Sequence, residues 1–70
     1  MVHIGQIIEQ KLRDQGRTVT WFARRLCCTR SNVYKIFSKE SIDTALLWRI
    51  SAVLEYDFFH ELSDNIKRHD

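Results

Sequence analysis

The 70-residue sequence contains no proline, only two glycines and no long apolar run. Two glycines are too few for a Walker loop or a dinucleotide-binding fingerprint, which need several glycines at fixed spacing. Collagen-like, proline-rich and low-complexity chains are excluded, and a hydrophobic fraction of 44% exceeds that of a disordered chain. No stretch approaches the roughly 20 apolar residues that span a bilayer, and the N-terminus does not resemble a signal peptide. We therefore expect a cytoplasmic protein without membrane association.

The sequence also has little chemistry for catalysis or metal binding. Cys27 and Cys28 are neighbours, so a disulfide between them would be strained and would close almost no loop, and we expect reduced thiols. No Cys-x-x-Cys or histidine spacing brings four zinc ligands together, so neither a metal nor a cofactor is expected. A cysteine nucleophile with a histidine base is conceivable, but a cysteine in a tight turn is usually structural, and we expect no enzymatic activity. The histidines considered for this role are His3, His60 and His69.

Acidic residues are absent from the segment Gln15 to Lys39, which holds six of the eleven basic residues. The remainder of the chain holds the other five basic residues and all nine acidic ones. Such asymmetry within a small domain is typical of a surface that contacts a polyanion. A solvated basic face opposite an acidic one is the alternative, and charge alone does not decide between them. The basic residues of this segment are Arg17, Arg24, Arg25, Arg30, Lys35 and Lys39.

Hydrophobic periodicity predicts a first helix that ends at Gly16 and a second that begins at Thr18, with Thr20 as an alternative cap. The apolar residues of the first helix are Ile4, Ile7, Ile8 and Leu12, and those of the second are Val19, Phe22, Ala23 and Leu26.

A third helix is predicted from Thr29, as its N-cap, to about Ser38. Its apolar side carries Val33, Ile36 and Phe37. Its opposite side carries hydrogen-bonding groups, an aromatic ring and a cation without any carboxylate. The residues of that polar side are Ser31, Tyr34, Lys35 and Ser38.

Two further helices are predicted, capped by Asp43 and Asp57. The inward-facing residues of the fourth are Leu46, Leu47, Ile50, Val53 and Leu54, and the packing residues of the fifth are Phe58, Phe59 and Leu62. From Ser63 the chain turns polar. We therefore expect a single domain over residues 1–62 and a frayed C-terminal tail over residues 63–70.

The run from Thr18 to Phe37 resembles the helix-turn-helix motif of the phage repressor and Cro family of regulators. A capping residue opens each helix of that motif, a hydrophobic-alanine pair and a leucine follow in the first helix, and two aliphatic residues three apart hold the second. The matching residues here are Thr18, Phe22, Ala23, Leu26, Thr29, Val33 and Ile36. The resemblance covers roughly residues 4 to 62. It implies an all-α, compact five-helix lambda-repressor-like domain with the motif at helices 2 and 3.

Two positions depart from the family pattern. Cys27 stands where the family usually has glycine, because the turn there tends toward positive φ. Cysteine in that conformation costs about 1 kcal/mol or more, which favours a differently shaped turn. Val19 stands where the family often has a phosphate-binding glutamine, and Arg17 or Arg24 could supply that contact instead.

The resemblance implies a sequence-specific regulator of transcription, expected to be a repressor, that reads double-stranded DNA with helix 3 in the major groove. Base contacts are expected from Arg30, Ser31, Asn32 and Tyr34. Phosphate contacts are expected from Arg17, Arg24, Thr29, Lys35, Ser38 and Lys39. For each arginine, a solvated side chain or a surface ion pair is the alternative.

A single domain of this size buries little DNA surface, so we expect a homodimer on the operator. The expected dimer interface consists of Trp48, Phe58, Phe59, Leu62 and Ile66, with core packing as the favoured alternative for the two phenylalanines. No residues remain after the five helices, so we expect nothing in the chain to bind an effector, and regulation is expected through protein level, dimerisation or a partner. The alternative function is a protein-interaction module or antitoxin-like component that binds a partner protein as well as or instead of DNA.

Overall fold

The structure is a computed structural model that describes residues 2–68, with the backbone alone for residues 67 and 68. Five helices form the chain: α1 (Ile4–Asp14), α2 (Val19–Arg25), α3 (Arg30–Phe37), α4 (Thr44–Leu54) and α5 (Phe58–Arg68). The described residues include no strand, so the all-α prediction is confirmed. The Cα radius of gyration, 11.9 Å, is close to the roughly 11 Å expected for a compact domain of this length. None of the described helices has the length and apolarity needed to cross a membrane.

Each helix begins at a side chain that accepts a free backbone N–H of its first turn. Thr18, Thr29, Asp43 and Asp57 do so at 3.0, 3.2, 2.7 and 3.1 Å, as the sequence predicts for these caps. The cap of α1 was not predicted: Nδ1 of His3 accepts the backbone N–H of the third helical residue at 3.2 Å. Local chemistry therefore sets where the helices start.

Three helices end at a residue with positive φ: Gly16 (φ 68°) after α1, Cys27 (φ 57°) after α2 and Glu55 (φ 52°) after α4. The residue after each donates its N–H back into the preceding helix, as in a Schellman motif. After α2, for example, the N–H of Cys28 donates to the carbonyl of Ala23 at 2.9 Å. Gly16 is confirmed as a helix stop. The differently shaped turn expected at Cys27 is not seen, because cysteine itself takes the left-handed conformation.

The apolar stripes of the helices meet in a single core, and no polar or charged residue belongs to it among the described residues. Oγ of Ser51, in a half-buried residue, is itself buried without a hydrogen-bond partner in the described part of the chain. Val33, Ile36 and Phe37 anchor the inner face of α3 in this core. Of the predicted inward-facing residues, Leu46 and Val53 are only partly buried. The buried core residues are Ile4, Ile8, Leu12, Phe22, Ala23, Leu26, Val33, Ile36, Phe37, Leu47, Ile50, Leu54 and Phe58.

The first turn of α1 packs against the C-terminal end of α3. The N–H groups of Ile4 and Gly5 donate to the carbonyls of Glu40 and Lys39 at 3.0 and 2.9 Å. A Cβ atom on Gly5 would overlap the backbone carbonyl of Phe37, closer than side chains are found to approach. The free N–H groups at the start of α1 thus donate to free carbonyl groups just beyond the end of α3, and both sets of groups are hydrogen-bonded. This backbone contact supports α3 in addition to the packing of its side chains in the core.

Polar contacts join α1 to the α4–α5 connection. The Nε2 of Gln15 donates to the carbonyl of Leu54 at 2.7 Å, and Nζ of Lys11 lies 4.0 Å from the centre of the Tyr56 ring. The Tyr56 hydroxyl donates to the carboxylate of Glu61. That hydrogen bond, with a smaller effect from burial, raises the pKa of Tyr56 above its ordinary value.

The tail that was predicted to fray from Ser63 is helical through Arg68, so this part of the prediction is wrong. Phe58 is fully buried and Leu62 partly buried, which docks the first half of α5 on the core. Along the helix, Nδ2 of Asn65 donates to the carbonyl four residues earlier at 2.9 Å. An amphipathic helix with a docked start extends beyond its last buried residue. Residues 69–70 of the predicted tail lie outside the described residues.

Candidate nucleic-acid interface

The outward face of α3 carries the polar residues that helical spacing predicts. Because Val33, Ile36 and Phe37 point into the core, the residues on the other sides of the helix are turned away from it. All of these outward residues are exposed. They are Arg30, Ser31, Asn32, Tyr34, Lys35 and Ser38.

The cations of the 15–39 segment are exposed and make no ion pair with any described side chain. The ion pairs found among residues 2–66 join Arg13 to Glu9 and His60 to Asp64, and both lie outside the segment. A cation without a carboxylate partner keeps its charge available for an external anion. The positive charge is therefore not neutralised by the fold.

Tyr34 stands on the outward face of α3 with 56% of its surface exposed. Its ring meets the ring of buried Phe37 edge to face, with centroids 6.1 Å apart. The contact with a core residue restricts the ring while more than half of it remains accessible. Tyr34 is thus an oriented, exposed aromatic group beside Lys35.

Asn32 and Arg30 lie on opposite flanks of α3. They are two residues apart, which places them roughly 160° apart around the helix axis. Asn32 is directed toward α4, where it lines a groove together with Arg49. The four residues predicted to contact bases are therefore not one contiguous cluster: Tyr34 lies nearer to Arg30 than to Asn32. Ser31 lies midway between Arg30 and Asn32 around the helix.

The two hydroxyl groups predicted to contact phosphate behave differently. Oγ1 of Thr29 accepts the N–H of Asn32 at 3.2 Å, so its own hydrogen remains available to donate. Oγ of Ser38 donates its hydrogen to the carbonyl of Lys35 at 2.7 Å. Phosphate oxygens only accept, so in this conformation Ser38 has no hydrogen to offer them. A phosphate contact from Ser38, as predicted, requires its hydroxyl to exchange this bond for one to phosphate.

Two arginines lie against the ring of Trp21 at the start of α2, and the sequence analysis did not predict these contacts. Trp21 is partly buried, and its ring centre lies 4.5 Å from Cζ of Arg17 and 5.6 Å from Cζ of Arg25. Cation–π contacts of this kind orient a guanidinium without neutralising it. Spacing offered one signal for it, since Trp21 and Arg25 are four residues apart on one helix.

Arg49 of α4 is tied to the turn between α2 and α3. Its Nη2 donates to the carbonyl of Leu26 at 2.8 Å, in a partly buried contact between residues 23 positions apart. The acceptor is a carbonyl at the end of α2 that the helix itself leaves free. The sequence offers no signal for this contact, because Arg49 lies in an otherwise apolar stretch.

A second surface is apolar rather than cationic. Trp48 of α4 is 66% exposed and Ile66 of α5 is 67% exposed, and Phe59 and Leu62 are exposed to a smaller extent. Phe58, also predicted for the dimer interface, is fully buried. It has no surface to offer a second chain, so its alternative, core packing, is confirmed. The predicted interface residues that keep exposed surface are therefore Trp48, Phe59, Leu62 and Ile66. Trp48 and Phe59 line one shallow depression, and Leu62 lines another.

The residues considered for catalysis are not brought together by any observed contact. Cys27 and Cys28 are free thiols, while His3 caps α1 and His60 pairs with Asp64 at 3.4 Å. His69 lies outside the described residues. Within the part of the chain that the structure describes, no three His, Cys, Asp or Glu side chains are grouped closely enough to hold a metal ion.

Comparisons of the chain with protein-family models, curated proteins and solved structures found no match. Function is therefore inferred from the residues and their geometry.

Proposed function

We propose that the chain is a sequence-specific double-stranded DNA-binding regulator of transcription, acting as a repressor in the cytoplasm. In this proposal α2, the turn at residues 26–29 and α3 act as a helix-turn-helix within a lambda-repressor-like arrangement of the five helices. The observation that carries the proposal is the outward face of α3, which is exposed, hydrogen-bonding, cationic and free of carboxylates. A recognition helix needs these properties because the phosphate oxygens and the major-groove edge of guanine are hydrogen-bond acceptors.

The support of α3 favours this role as much as its surface does. Its inner face is in the core, and its C-terminal end rests on the first turn of α1 through Gly5. A recognition helix must hold its side chains in fixed positions, because a shift of about 1 Å breaks a bidentate contact with a base. The binding surface thus stands on rigid elements.

Base reading is assigned to the first turn and outward face of α3. Arg30 has the fork geometry that pairs with O6 and N7 of guanine. Tyr34 lies on the same side of the helix as Arg30, where it can meet a thymine methyl group. Ser31 lies midway between Arg30 and Asn32. Asn32 would reach bases only from the α4 side of the helix, where it prefers adenine.

Phosphate contacts position the domain without reading sequence. They are assigned to Arg24 on α2, Thr29 at the start of α3 and Lys35 and Lys39 beside the groove next to α4. Arg17 joins them through its stacking on Trp21.

A salt titration with duplex DNA tests the proposal. Phosphate contacts release counterions, so the logarithm of the affinity should fall with the logarithm of salt concentration at about −0.9 per phosphate neutralised. Four to six contacts per protomer predict a slope of roughly −4 to −5. A folded protein with no DNA affinity at about 50 mM salt contradicts the proposal and favours the partner-protein function.

The second candidate, a protein-interaction or antitoxin-like component, is favoured by the exposed Trp48 and Ile66. Exposed aromatic residues are enriched at protein interfaces. The same surface suits the homodimer expected on an operator. Sedimentation of the protein with and without duplex DNA shows whether the chain self-associates. A chain that stays monomeric under both conditions favours the partner-protein function.

Selection of bound duplexes from a random pool completes the test. A dimeric reader should select two half-sites about one helical turn apart, related by a two-fold axis. If the selected duplexes share no common sequence, the protein binds DNA without sequence preference, and that result contradicts the proposed sequence specificity.

A further inference from the structure

A groove of about 250 Å³ lies between α3 and α4. Its floor is apolar, formed by Leu26, Ile36 and Leu46. Its rim is cationic and includes Lys35, Lys39 and Arg49. At the packing density of protein interiors this volume accommodates roughly ten non-hydrogen atoms.

The charge of the groove is one-sided. Three of its lining residues are cations and none is acidic. None of the three cations forms an ion pair with a side chain that the structure describes. Arg49 is held in place because one of its nitrogens donates to the Leu26 carbonyl at 2.8 Å, and the other donors of the guanidinium remain.

We propose that this groove binds a small amphipathic carboxylate of about ten non-hydrogen atoms. The carboxylate lies between Lys35, Lys39 and Arg49, and the short apolar body lies on Leu26, Ile36 and Leu46. Inorganic phosphate would leave the apolar floor uncovered, and a neutral apolar molecule would leave the cations unpaired. The occupant that satisfies both parts carries one anionic end and one apolar end.

Binding in the groove is coupled to DNA contact, a statement that rests on the proposed function. Lys35 and Lys39 belong both to the rim and to the phosphate-contacting set, and Asn32 lines the groove as well as flanking the base-reading residues. A carboxylate bound between the two lysines occupies some of their N–H donors and offsets one positive charge, which lowers their contribution to phosphate binding. The two ligands therefore weaken each other by the same factor. The sequence predicts no such effector site, because the two walls of the groove lie on separate helices.

Titration of the whole ¹⁵N-labelled chain with octanoate, followed by NMR, tests the site directly. We expect saturable shifts centred on the amides of Cys28, Asn32, Lys39 and Leu46, with a Kd at or below about 1 mM. Octan-1-ol and inorganic phosphate should each bind at least ten-fold more weakly. Equal affinity for octan-1-ol, equal affinity for phosphate, or octanoate shifts spread over the whole chain overturns the proposal.

Charge variants identify the site. Lys35→Gln with Lys39→Gln should weaken octanoate binding at least five-fold, because two of the three rim cations are lost. Arg13→Gln with Arg25→Gln removes the same charge outside the groove and should change the affinity less than two-fold. Circular dichroism confirms that both double variants are folded. Equal weakening in the two variants overturns the assignment.

Competition on DNA tests the coupling at constant ionic strength. Saturating octanoate should weaken duplex binding at least three-fold, and unchanged DNA affinity overturns the coupling. Octanoate binding by a chain with no DNA affinity supports the groove and contradicts the proposed function. DNA binding without any octanoate binding contradicts the groove alone.

Discussion

The helix pairs α2–α3 and α4–α5 share one backbone design. In each pair the first helix is followed by a non-glycine residue of positive φ, Cys27 at 57° and Glu55 at 52°. The next N–H bonds back into that helix, and a capping side chain, Thr29 or Asp57, then starts the second helix. Two stretches of unrelated sequence thus make the same kind of connection.

The surfaces of the two pairs differ completely. The α2–α3 pair carries cations, hydroxyls and an amide with no acid. The α4–α5 pair carries four acidic residues and the exposed apolar side chains of Trp48 and Ile66. Backbone design alone therefore does not identify the binding surface. The outward side chains do, since one surface suits a polyanion and the other an apolar partner.

The largest expected effect comes from removing the support of α3 without touching either surface. Gly5→Ala should lower the free energy of unfolding by about 2–4 kcal/mol, because the new Cβ overlaps the Phe37 carbonyl. Helix propensity alone predicts that Gly5→Ala raises the free energy of unfolding by about 1 kcal/mol. The sign of the measured change therefore distinguishes the two effects. Urea denaturation measures it.

Gly16→Ala is the matched control. Its Cβ would meet nothing within 4 Å, and it is strained only by its φ of 68°. A loss of about 1 kcal/mol is expected there. A larger loss at Gly16 than at Gly5 would contradict the close packing of α1 on α3.

The next effect distinguishes base contacts from phosphate contacts on the cationic surface. Arg30→Ala should cost roughly 1–3 kcal/mol on the selected operator and little on scrambled duplex, because a base contact is lost. Lys39→Ala should weaken both duplexes alike and reduce the salt slope by about 1. Fluorescence anisotropy on both DNAs measures this difference. Equal losses for both variants on both DNAs would refute the role assignment while leaving DNA binding intact.

A smaller effect is expected on the apolar surface. Trp48→Ala should weaken self-association about ten-fold, or about 1.4 kcal/mol, because an exposed aromatic anchor is removed. Unfolding free energy should change by less than about 1 kcal/mol, since two-thirds of the side chain is already exposed. Analytical ultracentrifugation measures the association, with Ser63→Ala on α5 as control. Unchanged association would exclude Trp48 from the interface.

The smallest effect tests whether the two connections are equivalent. Cys27→Gly and Glu55→Gly should each stabilise the fold by about 0.5–1 kcal/mol, because glycine relieves the left-handed strain but costs unfolded-chain entropy. Thermal denaturation compares them with Cys27→Ala, which removes the thiol but keeps the Cβ and should gain nothing. A gain at only one of the two sites would show that the connections differ in strain.

Features that depend on neighbouring residues were predictable from the sequence. The caps at Thr18, Thr29, Asp43 and Asp57 are confirmed because a capping bond spans three residues. The exposed face of α3 follows from the positions of three apolar residues on one helix. Local rules did not foresee the bond that engages the Ser38 hydroxyl, and they led to an error at α5, which extends to Arg68.

Features that join distant segments could not be predicted. Nothing near Gly5 indicates that the end of α3 lies against it, and nothing near Arg49 indicates its bond to Leu26. Phe58 and Phe59 were both predicted as packing residues of the fifth helix, yet Phe58 is fully buried and Phe59 is exposed. Only the packing of α5 on the other helices distinguishes them.

By itself, the order of residues determined where helices begin, which side of each is apolar, and that residues 15–39 carry no negative charge. These properties arise within one or two helical turns, where spacing along the chain equals position in space. The tertiary structure decided how α3 is supported, which aromatic residues stay outside the core, and that Lys35, Lys39 and Arg49 face one groove. Such juxtapositions depend on how whole helices pack, because burial of shared apolar surface selects one arrangement among many that the same periodicity permits.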